Sequence, residues 1–274
     1  MTKEEQILSS TLRERLRQCE NRGIATHTGF LSPAEVVFAE SVCRGEGAVL
    51  PGPAAAGCTR CLLDGGYEDA ERRICIFIPW DRDEPGLAEE IPSRFLSVLR
   101  VNLPKGAKAL SHRDYLGALL GLGVERSVIG DILVRGDSSG EAKGPGADII
   151  VLASIAGFLS GNLSSVGRAV VSTEVLGLKY LDTGSLHTED FRDTVASLRL
   201  DSIAASAFRL ARGKAQEAVR QGLVSVNGRQ VLKPDRELCE ADRISFRGKG
   251  KAVLTEVGGR TRKDRIAVVI TRYL

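Results

Sequence analysis

Between residues 198 and 232 the chain leaves itself few ways to fold. Leu223 to Val226 alternates apolar and polar residues, Asn227-Gly228 supplies a two-residue hairpin turn, and Gln230 to Leu232 provides a short return strand. Asp242 to Arg247 reads as a third strand. Before the hairpin, Ala211 to Gln221 has helical spacing and is stopped by Gly222 at a C-cap position. Before that, Leu198 to Phe208 places Leu200, Ile203, Ala204 and Ala207 on one inward stripe. Ala211, Ala215, Ala218 and Val219 form the apolar stripe of the second helix, while Arg212, Gln216 and Arg220 recur every four residues on an adjacent face. Arg209 and Lys214 lie near the start of that helix, where free N–H groups and the positive dipole end favour an anion.

Charge singles out the same end. Residues 199–274 carry 17 Lys/Arg against 8 Asp/Glu, a net of +9, whereas the preceding residues carry 21 against 27, a net of −6. A basic segment on a mildly acidic body points to a polyanionic partner. Val253 to Val257 and Ile266 to Arg272 read as paired strands around a basic turn, Gly258 to Arg265, which suits a second phosphate contact. Aromatics make up only 5% of the chain and form no stacking platform here, so for a nucleic-acid partner a structured form would be favoured over single strands.

The stretch RLDSIAASAFRLARGKAQEAVRQGLVSVNGRQVLKPDRELCEADRISFRG resembles the ribosomal-protein S-four RNA-binding domain. The matching residues are Arg199, Leu200, Asp201, Arg212, Lys214, Ala215, Gly222, Val224, Val226, Asn227 and Gly228. Ala211 stands where that pattern usually has Ser. The candidate RNA-binding residues are Arg199, Arg209, Arg212, Lys214, Gln216, Arg220, Asn227, Arg229 and Lys233, followed by Lys249, Lys251, Arg260, Arg262, Lys263 and Arg265. Arginine grips a phosphate bidentately and lysine adds a point charge, which gives affinity and register without reading bases.

Upstream, residues 3 to 20 read as an amphipathic helix, and Ser32-Pro33-Ala34-Glu35 as a capped start of a second. Gly45 to Gly66 is expected to be loop. Strands are expected at Arg73 to Pro79, Phe95 to Leu103, Val128 to Val134, Asp148 to Leu152 and Arg168 to Val175. Helices are expected at Ser111 to Gly123 and Ala153 to Leu163, with a polar hairpin loop at Asp137 to Gly146. Strands mixed with two helices suggest a ferredoxin-like α+β sandwich. The expected organisation is a helical part over 1–70, an RRM-like domain over 71–182, a linker over 183–197, and an S-four domain with a β extension over 198–274.

GGYEDAERRICIFIP, residues 65 to 79, and LSHRDYLGALLGLGVERSVIGDILV, residues 110 to 134, resemble the central domain of YlmH-type proteins. Some relatives in that family are called photosystem II S-four domain proteins. The resemblance implies a cytoplasmic, non-catalytic protein that binds rRNA on the large ribosomal subunit. It further implies a link to tRNA and to rescue of stalled ribosomes carrying peptidyl-tRNA. His112, Arg113 and Arg126 are candidates for a second RNA contact. His112 pairing with Asp114 at the helix start, and Arg113 in a structural ion pair, are the competing readings.

Other classes fare worse. An RNA-modifying enzyme of pseudouridine-synthase type needs a catalytic Asp in a larger separate domain, whereas Asp201 opens the RNA-binding helix itself and is expected to cap it or pair with a cation. His112-Arg113-Asp114 has Leu119 where a kinase catalytic loop needs Asn. Three scattered histidines, His27, His112 and His187, and no GxSxG elbow argue against a hydrolase. An RNA-linked scaffold in cell division or photosystem assembly remains an alternative. The six cysteines include one CxxC, Cys58 and Cys61, but no second pair completes a tetrahedral set, so no metal or cofactor is expected. Neither a signal peptide nor a membrane span is evident, and a monomer is expected.

Overall fold

The computed structural model describes residues 1–48, 58–80, 90–104, 106–108, 110–135, 144–183 and 188–273. The chain forms two compact units, Met1–Ser185 and Leu186–Leu274.

The first unit opens with α1, Lys3–Arg22, started by a Thr2/Glu5 capping box and ended by Gly23 in the left-handed region. Strand β1, Thr26–His27, leads to α2, Pro33–Gly45, where Ser32 and Glu35 form the expected capping box. Strands β2, Arg60–Asp64, and β3, Ile74–Ile78, complete a three-stranded antiparallel sheet in the order β1-β3-β2. Helices α1 and α2 cover one side of it through Leu12, Leu16, Ala39, Cys43 and Phe77. This sheet crosses residue 70, so the helical segment and the first strand expected after it share one core.

A short helix α3, Pro92–Phe95, feeds β4, Leu96–Asn102. Then follow α4, His112–Gly121; β5, Ile129–Arg135; β6, Gly146–Leu152; and α5, Ala153–Asn162. A two-residue ribbon of β7, Ser165–Val166, and β8, Ala169–Val170, precedes β9, Ser172–Leu176. The four long strands pair antiparallel in the order β5-β6-β4-β9. With helices after the first and third of them, this is the expected ferredoxin-like α+β arrangement.

The two faces of that sheet meet different partners. Leu99, Val101, Ile149 and Val151 face α4 and α5, packing on Tyr115, Leu119, Ala156 and Leu159. Leu96, Ile150 and Leu152 face the other way, onto Ile74, Ile76 and Ile78 of β3 and onto Phe30. Strand β3 is therefore buried at every position, between α1 and α2 on one side and the second sheet on the other.

The second unit begins with β10, Thr188–Val195, in the segment where a linker was expected. Residues 184–187, including His187, lie outside the described residues, as does most of the hairpin loop expected at Asp137 to Gly146. Helices α6, Leu200–Ala207, and α7, Arg212–Arg220, follow, and then β11, Val224–Val226, and β12, Arg229–Gln230. Strands β13, Arg243–Phe246, β14, Gly250–Arg260, and β15, Ile266–Tyr273, complete a sheet in the order β10-β15-β14-β13-β11-β12. The core joins Leu200, Ile203, Ala204 and Ala207 of α6 to Ala215, Ala218 and Val219 of α7 and to Ile244, Leu254 and Ile270 of the sheet. Asn227 and Gly228 have φ of 50° and 76°, the left-handed pair that a tight hairpin needs.

Candidate nucleic-acid interface

Asp201, in the first turn of α6, organises the second unit's basic face. Its carboxylate is fully buried and accepts hydrogen bonds from Arg199, Arg212 and Gln216. Burial alone would push its carboxyl up, but the hydrogen bonds from Gln216, Arg212 and Arg199 together outweigh this and hold it below the ordinary carboxylate range. The expectation that Asp201 pairs with a neighbouring cation is met by two arginines. Both keep part of their surface in solvent, with side chains 37% and 46% exposed, so each can pair inward and still offer N–H groups outward.

Between α6 and α7 the chain turns at Arg209, whose φ of 51° is unusual for a residue other than glycine. An open groove of about 470 Å³ lies beside this turn, lined by Arg209, Arg212, Arg265, Ser202, Ser206 and Asp193, among others. Three of the candidate cations, from the turn, from α7 and from the β14–β15 loop, thus converge on one concavity. Ser202 and Ser206 were not anticipated. Their signal was the i, i+4 spacing of two hydroxyls on α6, weak because serine is common on solvated helix faces.

The remaining candidates divide into committed and solvent-facing groups. Asn227 is committed: it donates from Nδ2 to Asp242 and accepts at Oδ1 from the backbone N–H of Arg243, which ties the hairpin to β13. The residue itself remains exposed at the hairpin tip. Arg260 pairs with Asp264, and Arg265 donates to Thr194 while lining the groove. Lys251 is half-buried on β14. Gln216 is occupied by Asp201. Lys214, Arg220, Arg229, Lys233, Lys249, Arg262 and Lys263 are exposed. Arg209 also faces solvent, with a long contact of 3.6 Å to Glu189.

In the first unit, His112 and Arg113 are exposed at the start of α4. Asp114 there accepts from the backbone N–H and hydroxyl of Ser111, a capping box that pins the helix start. Arg126 is half-buried. Its guanidinium donates to the carbonyls of Ile129 and Gly130, and burial, aided by Arg72 nearby, lowers its pKa to about 10. It braces the backbone at the start of β5.

The two long motifs of the first unit meet each other. Asp131 accepts from the Tyr67 hydroxyl at 2.9 Å and from the backbone N–H groups of Glu71 and Arg72. Arg72 in turn donates to the carbonyls of Ile129 and Phe30. These residues fasten the 65–73 loop to β5 and so hold the first sheet against the second.

Two family models match the chain. The one described as "Putative RNA-binding domain in YlmH" covers residues 94–179, and the one described as "S4 domain" covers residues 198–244. Over 245 residues the chain is 34% identical to "Ribosome-associated protein quality control protein P2" of Bacillus subtilis (strain 168), spanning 89% of this chain and 86% of the relative. Among solved structures, "Cell division protein ylmH from Streptococcus pneumoniae" is 18% identical and covers 66% of this chain and 97% of that chain, with a TM-score of 0.49.

Proposed function

Because the chain belongs to the YlmH family, with an S4 domain at residues 198–244, we propose that it is a non-catalytic RNA-binding protein that works on the ribosome. The observation that carries this reading is the convergence of Arg209, Arg212 and Arg265 on one open groove, with Lys214 exposed on the first turn of the same helix α7. Such a groove suits the phosphates of a folded RNA, which arginine forks can grip in pairs. Its cationic groups come from separate elements of one compact unit, so the contact would fix register as well as affinity.

The target is rRNA of the large subunit, with a contact to tRNA on stalled ribosomes that carry peptidyl-tRNA. The name of the Bacillus subtilis relative, a ribosome-associated quality control protein, supports this choice. The first unit would contribute His112 and Arg113 at the exposed start of α4. Its sheet would not contribute, because β3 covers the face opposite the helices. The protein acts as a cytoplasmic monomer. Among the described residues no helix is long and apolar enough to cross a membrane.

Sedimentation of lysate through a sucrose gradient, with and without stalled translation, tests the proposal. The wild-type chain should travel with free large subunits when translation stalls, and the Arg209→Ala/Lys214→Ala variant should remain at the top. Wild-type protein that stays at the top under both conditions would refute ribosome association.

A further inference from the structure

Three cysteines from three elements meet in the core of the first unit. Cys43 comes from α2, Cys61 from β2 and Cys75 from β3, and each is buried. Their sulfurs stand 3.1 Å (Cys61 to Cys75), 3.4 Å (Cys61 to Cys43) and 3.9 Å (Cys43 to Cys75) apart. Each of these three thiols lies within hydrogen-bonding distance of the other two. Cys61 therefore has its partners across the fold, and not in Cys58, its neighbour in the CxxC.

We propose that Cys43, Cys61 and Cys75 bind a thiophilic divalent metal ion of the zinc class. A buried cysteine is commonly just a small apolar residue, but that role asks for no convergence of sulfurs. Around one ion, with metal–sulfur bonds of about 2.3 Å, thiolates sit roughly 3.8 to 4.0 Å apart. The trio already fits one edge of that triangle, and its tightest pair would open by under about 1 Å.

The strand register argues against the obvious alternative, a disulfide. On β2 and β3, Cys61 lies opposite Phe77 and Cys75 lies opposite Leu63, so the two cysteines are diagonal neighbours. Diagonal positions are about 7 to 8 Å apart, beyond the roughly 4.4 to 6.8 Å between Cα atoms that a disulfide tolerates. A bridging ion spans that gap, and Cys43 supplies a third ligand from the helix above. Soft thiolate ligands select zinc or monovalent copper among the common ions. A divalent ion leaves less uncompensated negative charge on three thiolates in an apolar core, which favours the zinc class. Binding would release the thiol protons to solvent and join α2 to the β2–β3 pair as the domain folds.

Cobalt(II) titration of the reduced, chelator-treated full chain tests this. The expected result is a thiolate-to-cobalt absorption band in the near ultraviolet that saturates at one ion per chain and is bleached by zinc. Cys61→Ala should abolish the band, whereas Cys58→Ser and Cys239→Ser should keep it. A wild-type chain that develops no band while its thiols remain reduced would overturn the site, independently of how any variant folds. So would a band that persists in Cys61→Ala, or a Cys61–Cys75 disulfide as the main form of the purified protein.

Discussion

At the residue scale, Asp201 carries more consequence than any single cation around it. It is buried without being neutralised, because Arg199, Arg212 and Gln216 reach it together. Asp201→Ala should lower the stability of the second unit by about 2 to 3 kcal/mol, read by urea unfolding, because charge-assisted hydrogen bonds are lost. Its folded pKa lies below the ordinary value, so its contribution is fully present above an unfolded pKa of about 4 and fades as pH falls through the folded value. Asp201→Asn should therefore be less stable than wild type at pH 7 and show a shallower loss as the pH falls below about 4. An equal acid slope in both proteins would show that the carboxylate contributes nothing there.

The same geometry separates Arg212 from Lys214. Arg212→Ala should weaken RNA binding and also destabilise the unit, since its guanidinium holds Asp201. Lys214→Ala should weaken binding by roughly 1 to 3 kcal/mol with unfolding unchanged, checked by filter binding and urea titration side by side. The motif pointed to both residues, but it could not distinguish them. Helical spacing put Arg212 on an outer face, whereas its partner Asp201 comes from the preceding helix and is visible only once α6 and α7 pack. Asn227 shows the same limit: its turn was evident from the Asn-Gly pair, but not its side-chain bond to Asp242, fifteen residues on.

At the scale of elements, the strands that sequence periodicity missed are those that depend on a neighbour. Strand β2, Arg60–Asp64, follows a Gly/Pro/Ala-rich run and has no alternation, yet it pairs along its whole length with β3. Strand β10 carries only Phe191 and Val195 as large apolar residues and lies at a sheet edge, where one side need not be buried. The ferredoxin-like order was legible because β4, β5 and β6 are apolar runs bounded by clear helices. What the sequence did not reveal was that the 65–79 motif closes over that sheet, since this rests on the contact between Tyr67 and Asp131. Tyr67→Phe should cost the first unit about 1 kcal/mol, with Asp131 keeping its two backbone donors. Gly130→Ala should cost more, about 1 to 3 kcal/mol, because a Cβ there would come within 2.6 Å of the Phe30 ring. Thermal unfolding of the two variants would rank them, and the reverse order would undo this account of the closure.

For the whole molecule, the uneven charge makes a prediction that belongs to no single residue. With a net of +9 over residues 199–274 and −6 before them, RNA affinity should fall steeply with salt, and the slope should reside in the second unit. Removing Lys214 and Arg209 together should reduce the slope of log K against log salt by about 2, near one per phosphate contact. A slope unchanged in that variant would place the phosphates elsewhere.

The layer formed by β1, β2 and β3 over the ferredoxin-like sheet has one more consequence. A sheet that is sealed by its own chain has no surface on which to splay and inspect individual bases. For that unit, discrimination would then rest on the contour and charge of the partner, and the letters beneath the backbone would go unread. A partner helix could exchange its base pairs over evolutionary time without forcing compensating changes in this protein, provided its folded outline persisted.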